Sequence, residues 1–213
     1  MSSPRLLDLF CCEGGASMGY ANAGFKVSGV DIEKQPRYPF RFHERDALHF
    51  LERFGMRFDA IHASPPCQAF TKAQRLQGNE HPDLIGPVRE LLKEIGKPYV
   101  IENVVGAPLL DPLMLCGGMF GLRTYRHRLF ESNIDLTAPI HGEHVSRTTK
   151  MGRKVIDGEF MHVIGHFSGI ARAREAMGMP WASRDGLAEA VPPAYTEHIG
   201  KQLLHHIESE RAA

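Results

Sequence analysis

The sequence has no excess of either charge: Lys plus Arg number 25, Asp plus Glu number 25, and the formal net charge is zero. Bulk charge therefore offers no support for nucleic-acid binding, although a balanced total can hide a basic face. There is no apolar run long enough to cross a bilayer. The segment MSSPRLLDLFCC lacks the layout of a signal peptide, because Asp8 interrupts its apolar stretch and no cleavage site follows. Residence in the cytoplasm is the expectation. Cysteine is sparse, with only Cys11, Cys12, Cys67 and Cys116. No CxxC pair and no clustered His/Cys spacing is present, so free thiols are expected and neither a disulfide framework nor a metal site. No internal repeat or low-complexity segment occurs.

What is present fits one domain with a sizeable core. The chain has 213 residues, 43% hydrophobic and 23% charged. Its first part alternates short apolar strands with helices. Arg5–Phe10, Lys26–Asp31, Phe58–Ala63, Pro98–Glu102 and Arg126–Glu131 read as strands, and Ala16–Ala23 and Ala47–Phe54 as helices. Leu84, Ile85, Val88, Leu91, Leu92 and Ile95 share one helical face, with Asp83 as N-cap and Gly96 at the end. Pro36 and Pro39 make KQPRYPF a loop. Strand, helix and strand at this spacing predict an α/β, Rossmann-like doubly wound sheet, with its ligand site beyond the carboxyl ends of the strands. Residues 1–131 are expected to form this domain. Residues 132–170 form a small irregular insert, with a hairpin around Asp157-Gly158, and residues 171–213 form helices that return to the domain.

Three segments carry candidate chemistry. DLFCCEGGASMGY joins a strand to a helix through Gly14 and Gly15, a turn that lets a ligand approach backbone and meet a helix N-terminus. No GK[ST] follows, so it is not a P-loop. Asp31 ends the next strand, where an acidic residue often holds an adenosine ribose in doubly wound folds; a cap or a surface carboxylate is the plainer alternative. Ser64-Pro65-Pro66-Cys67-Gln68 places two rigid prolines directly before a cysteine, and rigid placement is what a nucleophile needs. A buried structural cysteine is the alternative. Ile101-Glu102-Asn103-Val104 ends the neighbouring strand in a carboxylate. If Cys67 and Glu102 face one cleft, they form a nucleophile and acid pair.

Taken in order, these segments resemble the DNA cytosine-5 methyltransferase family. DLFCCEGG is similar to its first cofactor motif, SPPCQ to its catalytic loop and ENV to its acidic motif. GGMFGLRTYRHRLFE, with Arg126 and Arg128, is similar to its basic motif. The resemblance covers roughly residues 5–131 and then the C-terminal helix region. It implies an S-adenosylmethionine-dependent enzyme in which Cys67 attacks C6 of cytosine and C5 takes the methyl group. Glu102 would bind the N3 and amino edge with a raised pKa, and Arg126 and Arg128 would steady the base carbonyl and favour thiolate. For the cofactor, the resemblance implies Phe10 against adenine, and Cys11, Cys12, Glu13, Gly14 and Gly15 along the methionine portion. It also implies Asp31 with Ile32 at the ribose, Asp46 with Ala47 at the adenine amino group, and Pro65 beside them. Asp46 is equally a candidate N-cap. Duplex DNA would be the partner, with the base flipped outward. Ser64, Pro66, Gln68 and Asn103 would meet the base, and Lys72, Gln74 and Arg75 on the long polar loop would meet phosphates or fill the vacated space. A tRNA cytosine methyltransferase can share these motifs. The setting implied is the cytoplasm of a bacterium or of a phage-infected host.

The sequence departs from the family pattern in four places. Cys12 stands where a small glycine is usual. The connection after Asp31 is short and proline-bearing, where a helix is usual. Only about forty residues separate the basic motif from the last helices, so a short or relaxed target site is expected. In PPAYTEHIGKQLL, Lys201 follows Gly200 where Asn is usual. A surface lysine is the plain reading; a cation at the transferring group would instead favour carboxy-S-adenosylmethionine and give 5-carboxymethylcytosine.

Overall fold

The computed structural model describes residues 3–67, 83–150, 153 and 155–212. Its centre is a seven-stranded sheet. In chain order the strands are β1 (Arg5–Leu9), β2 (Lys26–Asp31), β3 (Arg41–Glu44), β4 (Ala60–Ala63), β5 (Tyr99–Asn103), β6 (Leu113–Leu115) and β7 (Arg128–Ser132). They lie in the order β3-β2-β1-β4-β5-β7-β6. The first five are mutually parallel, and β7 runs antiparallel to both β5 and β6. A parallel sheet is covered on both faces, which is why β2, β4 and β5 are nearly continuous buried runs.

Helices α1 (Gly15–Ala23) and α6 (Pro193–Ala212) cover one face; α2 (Ala47–Phe54) and α3 (Ile85–Ile95) cover the other. Alternation along the strands decides which side chain goes where. Leu6, Ala60 and Val100 join the α1/α6 core, whereas Leu7, Leu9, Ile61 and Ile101 join the α2/α3 core. Asp8, His62 and Glu102 therefore point into the α1 side, and all three are buried. Tyr20 of α1 reaches His62 Nδ1 with its hydroxyl at 2.9 Å. Burial holds His62 neutral, with its pKa lowered to about 3. Helices α1 and α6 approach closely because glycines face the contact. A Cβ on Gly19 would sit 2.1 Å from the Pro193 carbonyl, and one on Gly200 2.8 Å from the Ala23 side chain.

The expected helices and strands of the first part form. Asp83 does not occupy the N-cap of α3, which is Leu84, but its carboxylate accepts from Ile85 N at 2.9 Å. The proline-bearing loop runs on into β3, a strand not expected from the sequence. Between β7 and α4 (Ile170–Met177) the chain is irregular. Among the described residues, no hairpin is present around Asp157-Gly158. Among the described residues, pairing outside the named strands is one parallel bridge between Thr148 and Phe160. A third apolar cluster, with Met161, Val163, Phe167, Met177 and Leu187, lies under α4 and α5 (Arg184–Glu189). No helix among the described residues is long and apolar enough to cross a membrane.

Candidate active site

The carboxyl ends of β1, β2, β4 and β5 open onto a cleft of about 320 Å³. The β1 turn contributes Phe10, Cys11, Cys12 and Gly15. Asp31 and Ile32 follow β2, Ser64–Cys67 follow β4, and Glu102 and Asn103 close β5. Arg128 enters from β7, and Ala188–Val191, just before α6, form the far wall. Cys67 and Glu102 thus share one cavity with the glycine turn.

Cys67 is partly buried at the end of a rigid loop. Asn103 Nδ2 donates to the Pro65 carbonyl at 2.9 Å, which ties that loop to β5. Arg128 Nε stands 2.9 Å from Glu102 Oε1, and both side chains are largely buried. Glu102 Oε1 is buried and has no directed hydrogen-bond donor, so this contact is ionic. Burial raises the Glu102 pKa, opposed by Arg128 and by a hydrogen bond from Ser64. Burial also raises the Cys67 thiol; Arg128 pulls it down and Glu102 pushes it up. Burial thus favours the neutral form of both groups, and the Arg128 charge opposes it at each.

On the other side of the cleft the backbone is bent back on itself. Phe10 and Cys12 both adopt left-handed conformations, with φ of 59° and 44°. That explains why a glycine would suit position 12. Asp31 Oδ2 accepts from Cys12 N at 2.9 Å, and its Oδ1 accepts from Glu33 N at 3.0 Å. Each oxygen keeps a second lone pair, enough for a pair of ribose hydroxyls. Ile32 is 70% exposed at the cleft edge, an apolar surface suited to a flat ring. Asp8 Oδ1 is buried without a partner beneath the turn. These residues fit a nucleoside carrying a cationic tail.

Several residues singled out in the sequence lie elsewhere. Glu13 turns away from the cleft: its Oε2 accepts from Ser183 N at 2.7 Å and its carbonyl from Trp181 Nε1 at 2.8 Å. Gly14 supplies the left-handed turn, φ 82°, and packs on Tyr38. Asp46 caps α2 by accepting from His49 N at 2.8 Å, and Ala47 is buried behind it. Arg126 is buried, and its guanidinium is consumed by three backbone carbonyls: Ala190 and Ala188, each at 2.7 Å, and Val163. It holds the cleft wall and does not reach the reacting groups. Lys201 lies in the groove of Asn133, Asp135 and His205, with Nζ 2.7 Å from Glu197 Oε1. Its ammonium is spent on that carboxylate outside the cleft, so it cannot favour a carboxylated cofactor. Gln68, Lys72, Gln74 and Arg75 lie outside the described residues.

The cleft also contains groups the sequence reading passed over. Asp8 is a carboxylate inside an apolar strand, a visible signal. Glu189, whose Oε2 is 3.7 Å from Cys12 Sγ, gave none, because nothing local relates it to a turn 177 residues earlier.

Residues 4–108 match the family model for C-5 cytosine-specific DNA methylase. A protein of Methanocaldococcus jannaschii named "Putative ribosomal RNA large subunit methyltransferase" is 29% identical over 128 residues, covering 52% of this chain and 29% of its own. The Type II methyltransferase M.AgeI of Thalassovita gelatinovora is 28% identical over 120 residues, covering 48% and 28%. The chain thus spans less than a third of the length of the curated relatives it matches. Among solved structures, an E. coli prophage protein described as a "putative DNA modification methyltransferase" superposes with a TM-score of 0.67. It is 18% identical and covers 97% of this chain and 100% of its own, a likeness of fold. The turn, the SPPCQ loop and the ENV strand end all fall inside the matched segment, and through it this part of the chain is similar to C-5 cytosine-specific DNA methylases.

Proposed function

We propose that the protein transfers a methyl group to C5 of a cytosine flipped out of duplex DNA, with Cys67 as nucleophile. The observation that carries this reading is the convergence of Cys67, Glu102 and Arg128 on the cleft that also holds Phe10 and Asp31. S-adenosylmethionine, when bound, supplies an electrophilic methyl group. Phe10 and Ile32 would flank its adenine, Asp31 its ribose, and Gly15 would leave room for its methionine portion. Cys67, once its thiol proton has passed to solvent, would add as thiolate to C6 of the ring; the displaced electron pair makes C5 nucleophilic enough to take the methyl, and the sulfonium would leave as a neutral thioether. Glu102 shares a proton with N3 as the ring accepts the thiolate, a role suited to its raised pKa. Arg128 holds Glu102 in place and draws the thiol toward ionisation. Loss of the C5 proton to solvent returns electrons to the ring and expels the Cys67 thiolate.

We read residues 1–131 as the catalytic unit, 132–170 as a reduced recognition insert and 171–213 as the segment that closes the cleft. An insert this small supports a short or relaxed target site. The setting we infer is the cytoplasm of a bacterium or phage-infected host. The test is digestion of duplex DNA after incubation with protein and S-adenosylmethionine, followed by nucleoside mass analysis. 5-Methylcytosine that disappears in Cys67→Ser supports the reading; unchanged product in that variant refutes it. One relative is named for ribosomal RNA, so structured RNA belongs in a parallel arm. Methylation of RNA alone would reassign the substrate while leaving the chemistry.

A further inference from the structure

The irregular stretch after β7 poses a physical problem. Residues 140–145 are all exposed, with Ile140 at 94% and Val145 at 84%, and no regular structure holds them. A loop that buries no apolar side chain has little to offset the entropy of being ordered. Yet it folds back so that His141 and His144 meet Cys116, just after β6, and His127, just before β7. His127 Nε2 and His141 Nε2 are 3.3 Å apart, and Cys116 Sγ and His144 Nε2 are 3.4 Å apart. The thiol and the three ring nitrogens all lie within 4.8 Å of one another.

We propose that Cys116, His127, His141 and His144 bind a zinc ion in a closed, four-ligand structural site. A tetrahedral zinc with ordinary Zn–N and Zn–S bonds has edges of about 3.3 Å between nitrogens and about 3.6 Å from nitrogen to sulfur. The two contacts above match those edges. Among the described residues no carboxylate pairs with any of the three histidines, so the cluster is not an ion-pair network. One thiolate and three imidazoles form a mixed soft and borderline set that favours zinc over calcium or magnesium. With all four positions filled by protein, the ion has no open site for substrate, which makes its role structural.

The ring planes are already braced. Tyr125 stacks on His144 with centroids 3.8 Å apart, and its hydroxyl bridges Ser146 N and O at 2.8 and 3.1 Å. The ion would tie the insert to the strand that carries Arg128. His127 lies directly between Arg126, which clamps the cleft wall, and Arg128, which faces Glu102. Thiolate, neutral imidazoles and zinc together carry one positive charge, placed beside the segment read as the DNA-facing insert. The spacing hides the site from a sequence reading. The first two ligands are eleven positions apart and the next two fourteen, and only His141 and His144 form a short pair.

The experiment uses untagged full-length protein. After incubation with zinc and desalting, metal analysis by mass spectrometry is expected to give about one zinc per chain. The His141→Ala/His144→Ala variant changes two exposed side chains and is expected to fall to about a tenth of that or less. Chelation of the wild type should lower its thermal midpoint, and the variant should show the lower midpoint without chelator. Should the variant fail to fold, cobalt(II) added to the wild type gives the reading on its own: tetrahedral visible bands with a thiolate charge-transfer band that Cys116→Ser removes. Zinc in the wild type no higher than in the double variant, full zinc retained by the variant, or copper or iron as the stoichiometric metal would overturn the proposal.

Discussion

Replacing Arg126 with lysine separates a clamp from a catalytic group. The guanidinium donates to the carbonyls of Ala188, Ala190 and Val163, and the side chain is buried. Lysine keeps the charge but has one nitrogen in place of a planar fork, so it cannot serve three carbonyls set around that fork. Hydrogen bonds from a charged donor contribute about 1.5–3 kcal/mol each, so losing two costs about 3–6 kcal/mol. Against a total stability of about 5–15 kcal/mol this is a large fraction. In urea the unfolding midpoint of Arg126→Lys should fall by more than about 1 M at a typical slope. Ala188 and Ala190 line the cleft, so the surviving folded enzyme should show a raised KM for S-adenosylmethionine, with kcat reduced less. Arg128→Lys should do the reverse, because its guanidinium meets Glu102 rather than the wall. If Arg126→Lys leaves the unfolding midpoint where it was and reduces only kcat, the clamp assignment is wrong.

Asp8 should make stability depend on pH. Burial raises its pKa from 3.8 to about 7, so the folded state holds the proton more tightly than the unfolded chain. The stabilisation is complete below about pH 4 and is lost as pH rises through about 7, amounting to about 4 kcal/mol. Asp8→Asn should therefore flatten the unfolding midpoint between those limits, and an unchanged slope would count against it. Glu102 pushes the Cys67 thiol up, so Glu102→Gln should speed iodoacetamide alkylation of Cys67 near neutral pH, read by peptide mass; slower labelling would contradict the electrostatics. A Cβ at position 19 would meet the Pro193 carbonyl at 2.1 Å and Thr196 Oγ1 at 2.1 Å. Gly19→Ala should then destabilise the fold by at least about 1–3 kcal/mol in urea melts, whereas a neutral result would mean that α1 and α6 separate easily.

The parallel half of the fold was legible because its rules are local. Apolar runs that lead into Asp31, Cys67 or Glu102 each declare a strand and the loop at its tip, and Gly96 marks the end of α3. The antiparallel β6 and the short β3 were not legible: three or four residues of mixed polarity become strands only through the neighbours they pair with. At the site, Cys67, Glu102 and Arg128 come together from segments whose chemistry showed in the residues themselves. Arg126 looked equivalent to Arg128 in the sequence. Two positions apart on the chain, they separate because the backbone at Arg126 is twisted to a positive φ of 21°, which turns its side chain into the interior. Glu13 lies away from the cofactor motif's expected place for another reason, and at Asp46 and Lys201 the plain readings, a cap and a surface lysine, are the ones that agree with the structure. Capping, strut and surface roles use the same side chains as ligand binding and differ only in which partner arrives first.

The wall made by Ala188–Val191 stands against a turn near residue 12, and α6 seals the back of α1. A ribosome must therefore deliver the chain past residue 191 before the nucleoside slot has two sides. Until then the buried carboxylate at Asp8 and the glycine face of α1 stay open to water. Any shortened product that stops before residue 188 would retain the thiol and its acidic neighbour, yet have nothing to press a nucleoside against.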